Sequence, residues 1–320
     1  MPTPHAPLVL DAAAVAALLP QVDALAAMRR LFTELGQGNA VQPVQSLTLL
    51  PGGQGFQGDF ITYQGASHGA QMFGAKLSPY LPREDGAIVT AWTVLMSSET
   101  GLPLMLCDAG RLTVERTAAT TALAVDHLGA TTARHLAIIG SGAVAEAHLR
   151  HVLPLRDWQA VQVFSPSLQG TERADHWRGL DPRVTVAQSA DAAIAGADVV
   201  MLCTSSGQPV IDTKEVAPGT LVTSISTNVA RAHEVPPAFL SDAEVYCDCC
   251  ATTPMTAGEM VIAAEQGWDA GAIRGDLAEL QNGQCPNPSG DRPVFFRSIG
   301  LGLEDIFMAE AVYQAARSAE

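Results

Sequence analysis

Positive charge is scarce in this chain of 320 residues, where Lys and Arg total 18 against 33 Asp and Glu, for a formal net charge of −15. No run of basic residues occurs anywhere along the sequence. Nucleic acids and anionic membrane surfaces are bound through clustered Lys and Arg, so the composition argues against both as partners.

Long apolar runs are also missing, since no segment approaches the roughly 18 residues of a membrane-spanning helix. The amino-terminal stretch MPTPHAPLVLDAAAVAALL has no Lys or Arg before its apolar part, and that part contains Asp11. We therefore expect no signal peptide, a cytoplasmic location and reduced thiols. The CDCC segment of Cys247, Cys249 and Cys250 is interpreted as the end of a strand rather than as a metal-binding motif, and no bound metal is expected.

Short apolar runs alternate with alanine-rich helical segments from about residue 134 onwards. The runs are LAIIG at 136–140, VQVFS at 161–165, VTVAQ at 184–188, DVVMLCTS at 198–205, LVTSIS at 221–226 and AEVYCD at 243–248. Strands this rich in Val, Ile and Leu are buried on both faces, which predicts a parallel sheet covered by helices. The predicted fold class is α/β, with a doubly wound Rossmann nucleotide-binding domain.

The first 130 residues follow a different pattern. Two helices are predicted at 11–18 and 21–38, followed by strands around 44–50, 58–64, 71–78 and 87–96 and by a long helix at 112–128. A further amphipathic helix from about residue 300 is expected to pack back on this part, because its apolar face needs a surface to bury against. We therefore predict an α+β domain over 1–128 and 299–320 and a Rossmann NAD(P)-binding domain over 129–298.

The segment IIGSGAVAEAH joins the first Rossmann strand to a helix. Gly140 permits a tight turn, Gly142 lets backbone N–H groups approach a pyrophosphate, and Ala145 allows close packing of the helix on the strand. The helix N-terminus adds free N–H donors and partial positive charge. The residues predicted to contact a dinucleotide here are Gly140, Ser141, Gly142, Ala143, Val144 and Ala145.

The end of the second Rossmann strand distinguishes NAD from NADP. A carboxylate at this position hydrogen-bonds the ribose 2′-hydroxyl of NAD and repels a 2′-phosphate. The sequence has FSPS here, with Ser165 and Ser167 and no carboxylate before Glu172. Together with Arg173, these hydroxyls suit a phosphorylated ribose, so NADPH is the predicted cofactor, with NADH as the alternative.

Three further segments, GAKLS at 74–78, LTVERTAATTALA at 112–124 and FFRSIGLGLEDI at 295–306, accompany the mid-chain fingerprint in this order. With them the chain resembles the ornithine cyclodeaminase/mu-crystallin family over nearly its whole length. The resemblance implies that the first part binds a small substrate and forms a homodimer, and that the last helix returns to it.

The resemblance also assigns roles to single residues. Lys76 matches the active-site lysine of the family, and Arg116 matches the arginine that binds the substrate carboxylate. The other residues placed at the cofactor are Thr90, Arg116, Thr204, Ser226, Thr227 and Ser298. A guanidinium binds a carboxylate bidentately, and an ammonium can pair with it or donate a proton, so a positively lined cavity is expected.

Two positions depart from the family pattern. Gln45 stands where the family usually has a second carboxylate-binding arginine, so its amide is expected to help to hold the substrate without charge. Asn228 stands where the cyclodeaminases carry a catalytic aspartate, and a neutral amide cannot accept a proton from a substrate amine. We keep Asn228 as a catalytic position, but it argues against the cyclodeaminase reaction and for the branch that reduces imines.

The resemblance therefore implies an NAD(P)H-dependent imine reductase acting on cyclic ketimine carboxylates. Its substrates would be Δ1-pyrroline-2-carboxylate, giving L-proline, and Δ1-piperideine-2-carboxylate, giving L-pipecolate. Three alternatives stay open: an ornithine or lysine cyclodeaminase with recycled NAD, a reductive amination of pyruvate, and a non-catalytic NADPH-dependent binding protein. His148 and His151 lack a third metal ligand and are interpreted as surface residues, while His233 is a candidate for the rim of the active site.

Overall fold

A computed structural model describes residues 6–51, 58–83, 85–227 and 231–318. The chain divides into two compact units, one of residues 1–116 and 301–320 and one of residues 117–300. Among the described residues no single helix is long and apolar enough to cross a membrane, although Ala12–Gln21 and Ala24–Gly36 reach that length and composition together across an 85° bend.

The secondary structure follows the two patterns seen in the sequence. The strands are β1 Leu8–Leu10, β2 Ala40–Val41, β3 Ser46–Leu49, β4 Asp59–Ser67, β5 Met72–Leu81, β6 Ile88–Val89, β7 Trp92–Ser97, β8 Pro103–Asp108, β9 His135–Ile139, β10 Ala160–Phe164, β11 Val184–Val186, β12 Val199–Leu202, β13 Leu221–Ser224, β14 Glu244–Cys247, β15 Gly275–Asp276 and β16 Val294–Arg297. The helices are α1 Ala12–Leu18, α2 Ala24–Gly36, α3 Gly110–Leu128, α4 Ala143–Val152, α5 Glu172–Leu180, α6 Ala190–Ile194, α7 Phe239–Asp242, α8 Thr253–Thr256, α9 Gly258–Glu265, α10 Leu277–Gln281 and α11 Gly302–Ser318. Strands β1, β2, β8, β15 and β16 were not predicted from the sequence.

The first unit contains a mixed, largely antiparallel sheet. Its order is β1-β8-β7-β5-β4-β2, with β3 paired to β4 and β6 paired to β5. Strands β1 and β8 run parallel, and the other paired neighbours run antiparallel. Side chains alternate between the two faces of a strand, so along β5 Lys76 is buried while the adjacent Leu77 is exposed.

Helix α11 packs closely on the buried face of this sheet. A Cβ atom on Gly302 would collide with the backbone of Gln64 in β4, so glycine allows the helix to begin directly against the strand. Leu303 N donates a hydrogen bond to Gln42 Oε1 at 3.0 Å. The first turns of α11 are buried, which places Glu304 and Asp305 inside the first unit.

The second unit contains the predicted parallel sheet. Its order is β11-β10-β9-β12-β13-β16-β14-β15, and every pair of neighbours is parallel. Because β9 lies between β10 and β12, the chain leaves it to both sides, and the carboxyl end of β9 is a topological switch point of the kind that binds ligands in open α/β sheets. The predicted doubly wound α/β fold is therefore confirmed. The interpretation of CDCC as a strand end is also confirmed, since Cys247 is the last residue of β14.

The prediction that His148 lies on the surface is wrong. This residue of α4 is 1 % exposed. Its Nδ1 lies 2.7 Å from the carbonyl oxygen of Val144, and its Nε2 lies 3.0 Å from Thr121 Oγ1. Burial lowers the pKa of His148 to about 4, so the ring is neutral at physiological pH. A neutral ring with both nitrogens in hydrogen bonds is a structural core residue.

Candidate active site

Lys76 and Arg116 meet at a buried carboxylate in the first unit. Lys76 Nζ lies 2.9 Å from Asp305 Oδ2 and 3.0 Å from Asp305 Oδ1. Arg116 Nε lies 3.2 Å from Asp305 Oδ1, and Arg116 Nη1 lies 2.8 Å from Glu304 Oε2. None of the four side chains is more than 6 % exposed. The structure thus brings the two predicted substrate-binding cations together in one buried cluster.

Three elements position this cluster. Lys76 extends from β5, Arg116 lies in the second turn of α3, and Asp305 lies in the first turn of α11. In the register of β4 and β5, Tyr63 stands directly opposite Lys76. The Lys76 ammonium lies 4.2 Å from the centre of the Tyr63 ring and 3.3 Å from Thr113 Oγ1. A cation–π contact, an ion pair with Asp305 and two hydrogen bonds therefore fix the ammonium in one place.

The two cations differ in how readily they lose a proton. Burial lowers the pKa of Lys76 to about 8, and the Asp305 carboxylate opposes this shift. Burial also disfavours the charged form of Arg116, but Asp305 and Glu304 raise its pKa overall, so it remains a guanidinium. The cluster thus joins a permanent cation, which can bind a carboxylate, to an ammonium that can exchange a proton near neutral pH.

The cluster also differs from the positively lined cavity expected from the sequence. Asp305 and Glu304 balance the charges of Lys76 and Arg116, and neither acid was among the predicted site residues. The GLGLEDI segment contains both acids, but nothing in the sequence indicates that Asp305 contacts a lysine 229 positions earlier.

The structure does not join the other three predicted substrate-site and cofactor residues, Gln45, Thr90 and Asn228, to this cluster among the residues that it describes. Gln45 is half-buried just before β3, and no hydrogen bond joins it to Lys76 or Arg116 among the described residues. Thr90 is exposed between β6 and β7. Asn228 lies outside the described residues. The roles of all three stay predictions.

The turn after β9 in the second unit fits a dinucleotide pyrophosphate. Gly140 has φ of 129°, and a Cβ atom there would collide with the carbonyl oxygen of Cys203, so the turn requires glycine. The space where a Cβ atom of Gly142 would stand is open to at least 4 Å. Gly142 is the N-cap of α4. Because glycine has no side chain to cap the helix, the first backbone N–H groups of α4 can bind an anion.

A row of hydroxyl groups lies beside this turn. Ser141 Oγ is 3.1 Å from Ser167 Oγ, which is 3.0 Å from Ser165 Oγ. Arg173 donates a hydrogen bond to the carbonyl oxygen of Ser141 at 2.8 Å. The structure therefore brings the predicted ribose-phosphate residues next to the predicted pyrophosphate turn, in an arrangement of hydroxyls and a guanidinium that suits a 2′-phosphate.

The Glu234 carboxylate accepts hydrogen bonds from both loops that follow strands β12 and β13. Its Oε1 accepts hydrogen bonds from Thr204 N at 2.8 Å and from Thr204 Oγ1 at 2.6 Å. Its Oε2 accepts from Ser224 Oγ, Ile225 N and Ser226 N at 2.8, 2.9 and 3.0 Å. This fully buried carboxylate was not predicted, yet it holds Thr204 and Ser226, two of the predicted cofactor residues.

The Asp248 carboxylate accepts hydrogen bonds from a third loop, which follows β16 at the same end of the sheet. Its Oδ2 accepts hydrogen bonds from Ser298 Oγ, Ile299 N and Gly300 N at 2.9, 2.7 and 3.0 Å. Burial raises the pKa of Asp248, while these donors favour its charged form. Asp248 therefore positions Ser298, the predicted residue near the nicotinamide, although sequence reasoning missed it.

The buried side chain of Arg297 connects the loop after β13 to the loop after β16. Arg297 Nε lies 2.8 Å from Glu259 Oε1, and both side chains are at most 1 % exposed. The same guanidinium donates to the carbonyl oxygen of Ser226 and, at 3.1 Å, to that of Ser298. Thr227, which follows Ser226, is exposed.

Known proteins resemble this chain in sequence and in fold. The chain is 55 % identical over 309 residues to the NAD(P)H-dependent anabolic L-arginine dehydrogenase DauB of Pseudomonas aeruginosa, covering 96 % of this chain and 97 % of the relative. It is 28 % identical over 258 residues to a Δ1-pyrroline-2-carboxylate reductase of Colwellia psychrerythraea, covering 76 % and 80 % of the two chains. In fold it matches the Thermococcus litoralis Δ1-pyrroline-2-carboxylate reductase, solved with NADH and L-proline, with a TM-score of 0.88, 22 % identity and 98 % of each chain covered.

The family profile described as ornithine cyclodeaminase/mu-crystallin matches residues 7–320. This range includes both units and nearly the whole chain. The resemblance suggested by the three sequence segments and the fingerprint is thereby confirmed. The chain belongs to the ornithine cyclodeaminase/mu-crystallin family.

Proposed function

We propose that the chain uses NAD(P)H to reduce the C=N bond of a 2-imino carboxylate, with the imine of L-arginine as its main substrate. The observation that carries this proposal is the buried pair of Lys76 and Arg116, in a chain 55 % identical to an L-arginine dehydrogenase. An anabolic amino-acid dehydrogenase forms its product from a 2-oxo acid, ammonia and a reduced nicotinamide. The formal charge of −15 also favours the approach of a substrate with a cationic side chain.

The cofactor is a nicotinamide dinucleotide, which supplies the hydride when bound. The open turn of residues 140–145 and the N-terminus of α4 hold its pyrophosphate. Ser165, Ser167 and Arg173 bind the ribose 2′-phosphate, so NADPH is preferred over NADH. Glu234 and Asp248 hold the loops that carry the remaining cofactor contacts.

The two cations of the first unit have separate tasks. The Arg116 guanidinium binds the substrate carboxylate and fixes its plane. Lys76 Nζ donates a proton to the imine nitrogen, which makes the imine carbon electrophilic. Because Glu304 and Asp305 already balance both cations, the substrate carboxylate shares Arg116 with them. Holding the reactants in place accounts for most of the rate gain, about 7–11 kcal/mol for well-oriented groups.

Cyclic ketimine carboxylates are the second candidate substrates. The similarity to the Colwellia psychrerythraea reductase favours Δ1-pyrroline-2-carboxylate, and the same two cations suit its carboxylate and ring nitrogen. L-Proline and L-pipecolate would be the products from the five- and six-membered rings.

A substrate panel followed at the NADPH absorbance band tests these candidates. We expect the highest kcat/KM with the 2-oxo acid of arginine plus ammonia, lower values with cyclic ketimines or with pyruvate plus ammonia, and slower turnover with NADH than with NADPH. A higher kcat/KM for Δ1-pyrroline-2-carboxylate would move the main substrate to the cyclic class. Ammonia release from ornithine without net absorbance change would indicate a cyclodeaminase, and tight NADPH binding without turnover would indicate a binding protein.

We also propose that the chain forms a homodimer through the first unit. On the sheet face opposite Lys76, Leu77 stands across from the exposed Trp92. On the same face Val94 of β7 pairs with the exposed Leu106 of β8. A second copy presents the same apolar face, so a two-fold contact buries both.

Light scattering tests this contact. We expect the native chain to have twice the mass of the 33.4 kDa protomer and Leu106→Glu to be monomeric, because the new carboxylate would be buried at the contact. The matched control is Leu180→Glu in the second unit, since Leu180 and Leu106 are both 40 % exposed. A monomeric native chain, or a dimeric Leu106→Glu variant, would contradict the proposed contact.

A further inference from the structure

Asp305 contacts both cations of the buried cluster. Its Oδ1 lies 3.0 Å from Lys76 Nζ and 3.2 Å from Arg116 Nε, and its Oδ2 lies 2.9 Å from Lys76 Nζ. The Asp305 side chain is 1 % exposed, so water does not screen these contacts. One carboxylate therefore binds the ammonium through both oxygens and also touches the guanidinium.

The surroundings of Lys76 make Asp305 its principal opposite charge. Tyr63 from β4 and Arg116 from α3 face the ammonium, as do the two acids of α11. Arg116 repels the ammonium proton, whereas Asp305 favours it through both charge and hydrogen bonding. Glu304, which contacts Arg116 at 2.8 Å, contributes less to Lys76 than Asp305 does.

We infer that Asp305 is a positioning residue that orients the Lys76 ammonium and retains its proton, and so sets the upper pH limit of the reaction. This inference rests on the proton donation by Lys76 that is part of the proposed function. Among the described residues the ammonium donates hydrogen bonds to Asp305 Oδ1 at 3.0 Å and to Thr113 Oγ1 at 3.3 Å, and Asp305 Oδ2 lies 2.9 Å from it as an ion-pair contact. The Thr113 contact is the one that a substrate nitrogen replaces, while Asp305 keeps the ammonium in place.

The lysine content of the chain allows a direct test. Lys76 and Lys214 are its two lysines, so the full-length protein grown with 13C-labelled lysine gives two side-chain signals in an NMR pH titration. Lys214 is exposed and serves as the internal reference. We expect the native Lys76 signal to titrate near pH 8. Asp305→Asn should lower the Lys76 midpoint by about 1–3 pH units, the usual effect of one nearby opposite charge.

Two further variants make the test specific. Glu304→Gln should lower the Lys76 midpoint less than Asp305→Asn does, because Glu304 contacts Arg116. Glu244→Gln removes an equally buried carboxylate of the second unit, one paired with Arg274, and should leave both lysine signals unchanged. If Asp305→Asn does not fold, Asp305→Glu must still move the Lys76 midpoint more than Glu304→Asp does. Equal shifts for the two positions, or none, would overturn the inference.

Kinetics then separates this inference from the proposed function. The high-pH limit of kcat for imine reduction should fall by the same number of pH units as the NMR midpoint in Asp305→Asn. An NMR shift without a kinetic shift would support Asp305 as the residue that retains the Lys76 proton, but it would reject Lys76 as the proton donor and with it the upper pH limit assigned to Asp305. Absence of any NMR shift would reject the role of Asp305 regardless of the substrate used.

Discussion

Lys76→Met is expected to lower kcat for imine reduction by about 10²–10⁴-fold, which is the usual contribution of a positioned proton donor. Methionine keeps the unbranched apolar stem of lysine in its buried position but has no proton to give. The Arg116 guanidinium remains to bind the substrate carboxylate, so KM should change less than kcat. Steady-state kinetics at pH 7 with saturating NADPH measures both constants.

The buried cluster determines the control for this variant. Removal of the Lys76 charge leaves Asp305 partly uncompensated, and breaking a buried ion pair costs about 3–5 kcal/mol of stability. The double variant Lys76→Met/Asp305→Asn removes both charges and should recover much of the lost Tm without recovering kcat. Near-native kcat in either variant would show that Lys76 is not the proton donor, whereas recovery of both Tm and kcat would show that its role is structural.

The second unit was predictable because its signals are local in sequence. Most of its buried parallel strands contain short apolar runs, and the Gly140–Ala145 turn follows the first run directly. Strands β15 and β16, with the sequences GD and VFFR, lack a run of Val, Ile and Leu and were not predicted. The first sheet was predicted less completely. Strand β1 has three residues and pairs with β8, joining Leu8 to Met105, and no local pattern indicates a pairing over that separation.

The candidate site was predictable where a residue type and a familiar motif coincide. Lys76 and Arg116 were identified through the family resemblance, and the structure places both in one cluster. Asp305, Glu234 and Asp248 were missed because their partners are distant in the chain or are backbone N–H groups. His148 was misplaced because its helix pattern does not reveal that Thr121 of α3 lies beside it.

Glu234→Gln is expected to weaken NADPH binding by about tenfold or more. The carboxylate accepts five hydrogen bonds from Thr204, Ser224, Ile225 and Ser226, while an amide offers one oxygen and turns its NH2 group toward the other donors. A hydrogen bond to a charged group contributes about 1.5–3 kcal/mol, and 1.4 kcal/mol corresponds to a tenfold change in Kd. If the loops after β12 and β13 carry cofactor contacts, their displacement appears directly in the Kd.

Fluorescence titration of NADPH, run beside thermal unfolding, distinguishes loop positioning from general destabilisation. Glu244→Gln is the matched control because Glu244 is also a buried, paired carboxylate of the second unit, but it begins β14 at the amino end of the sheet. Cofactors of open α/β sheets bind at the carboxyl ends, so this control should lower Tm and leave the Kd for NADPH unchanged. If both variants raise the Kd equally, or if neither raises it, then Glu234 contributes to stability alone and the loops that it holds do not bind the dinucleotide.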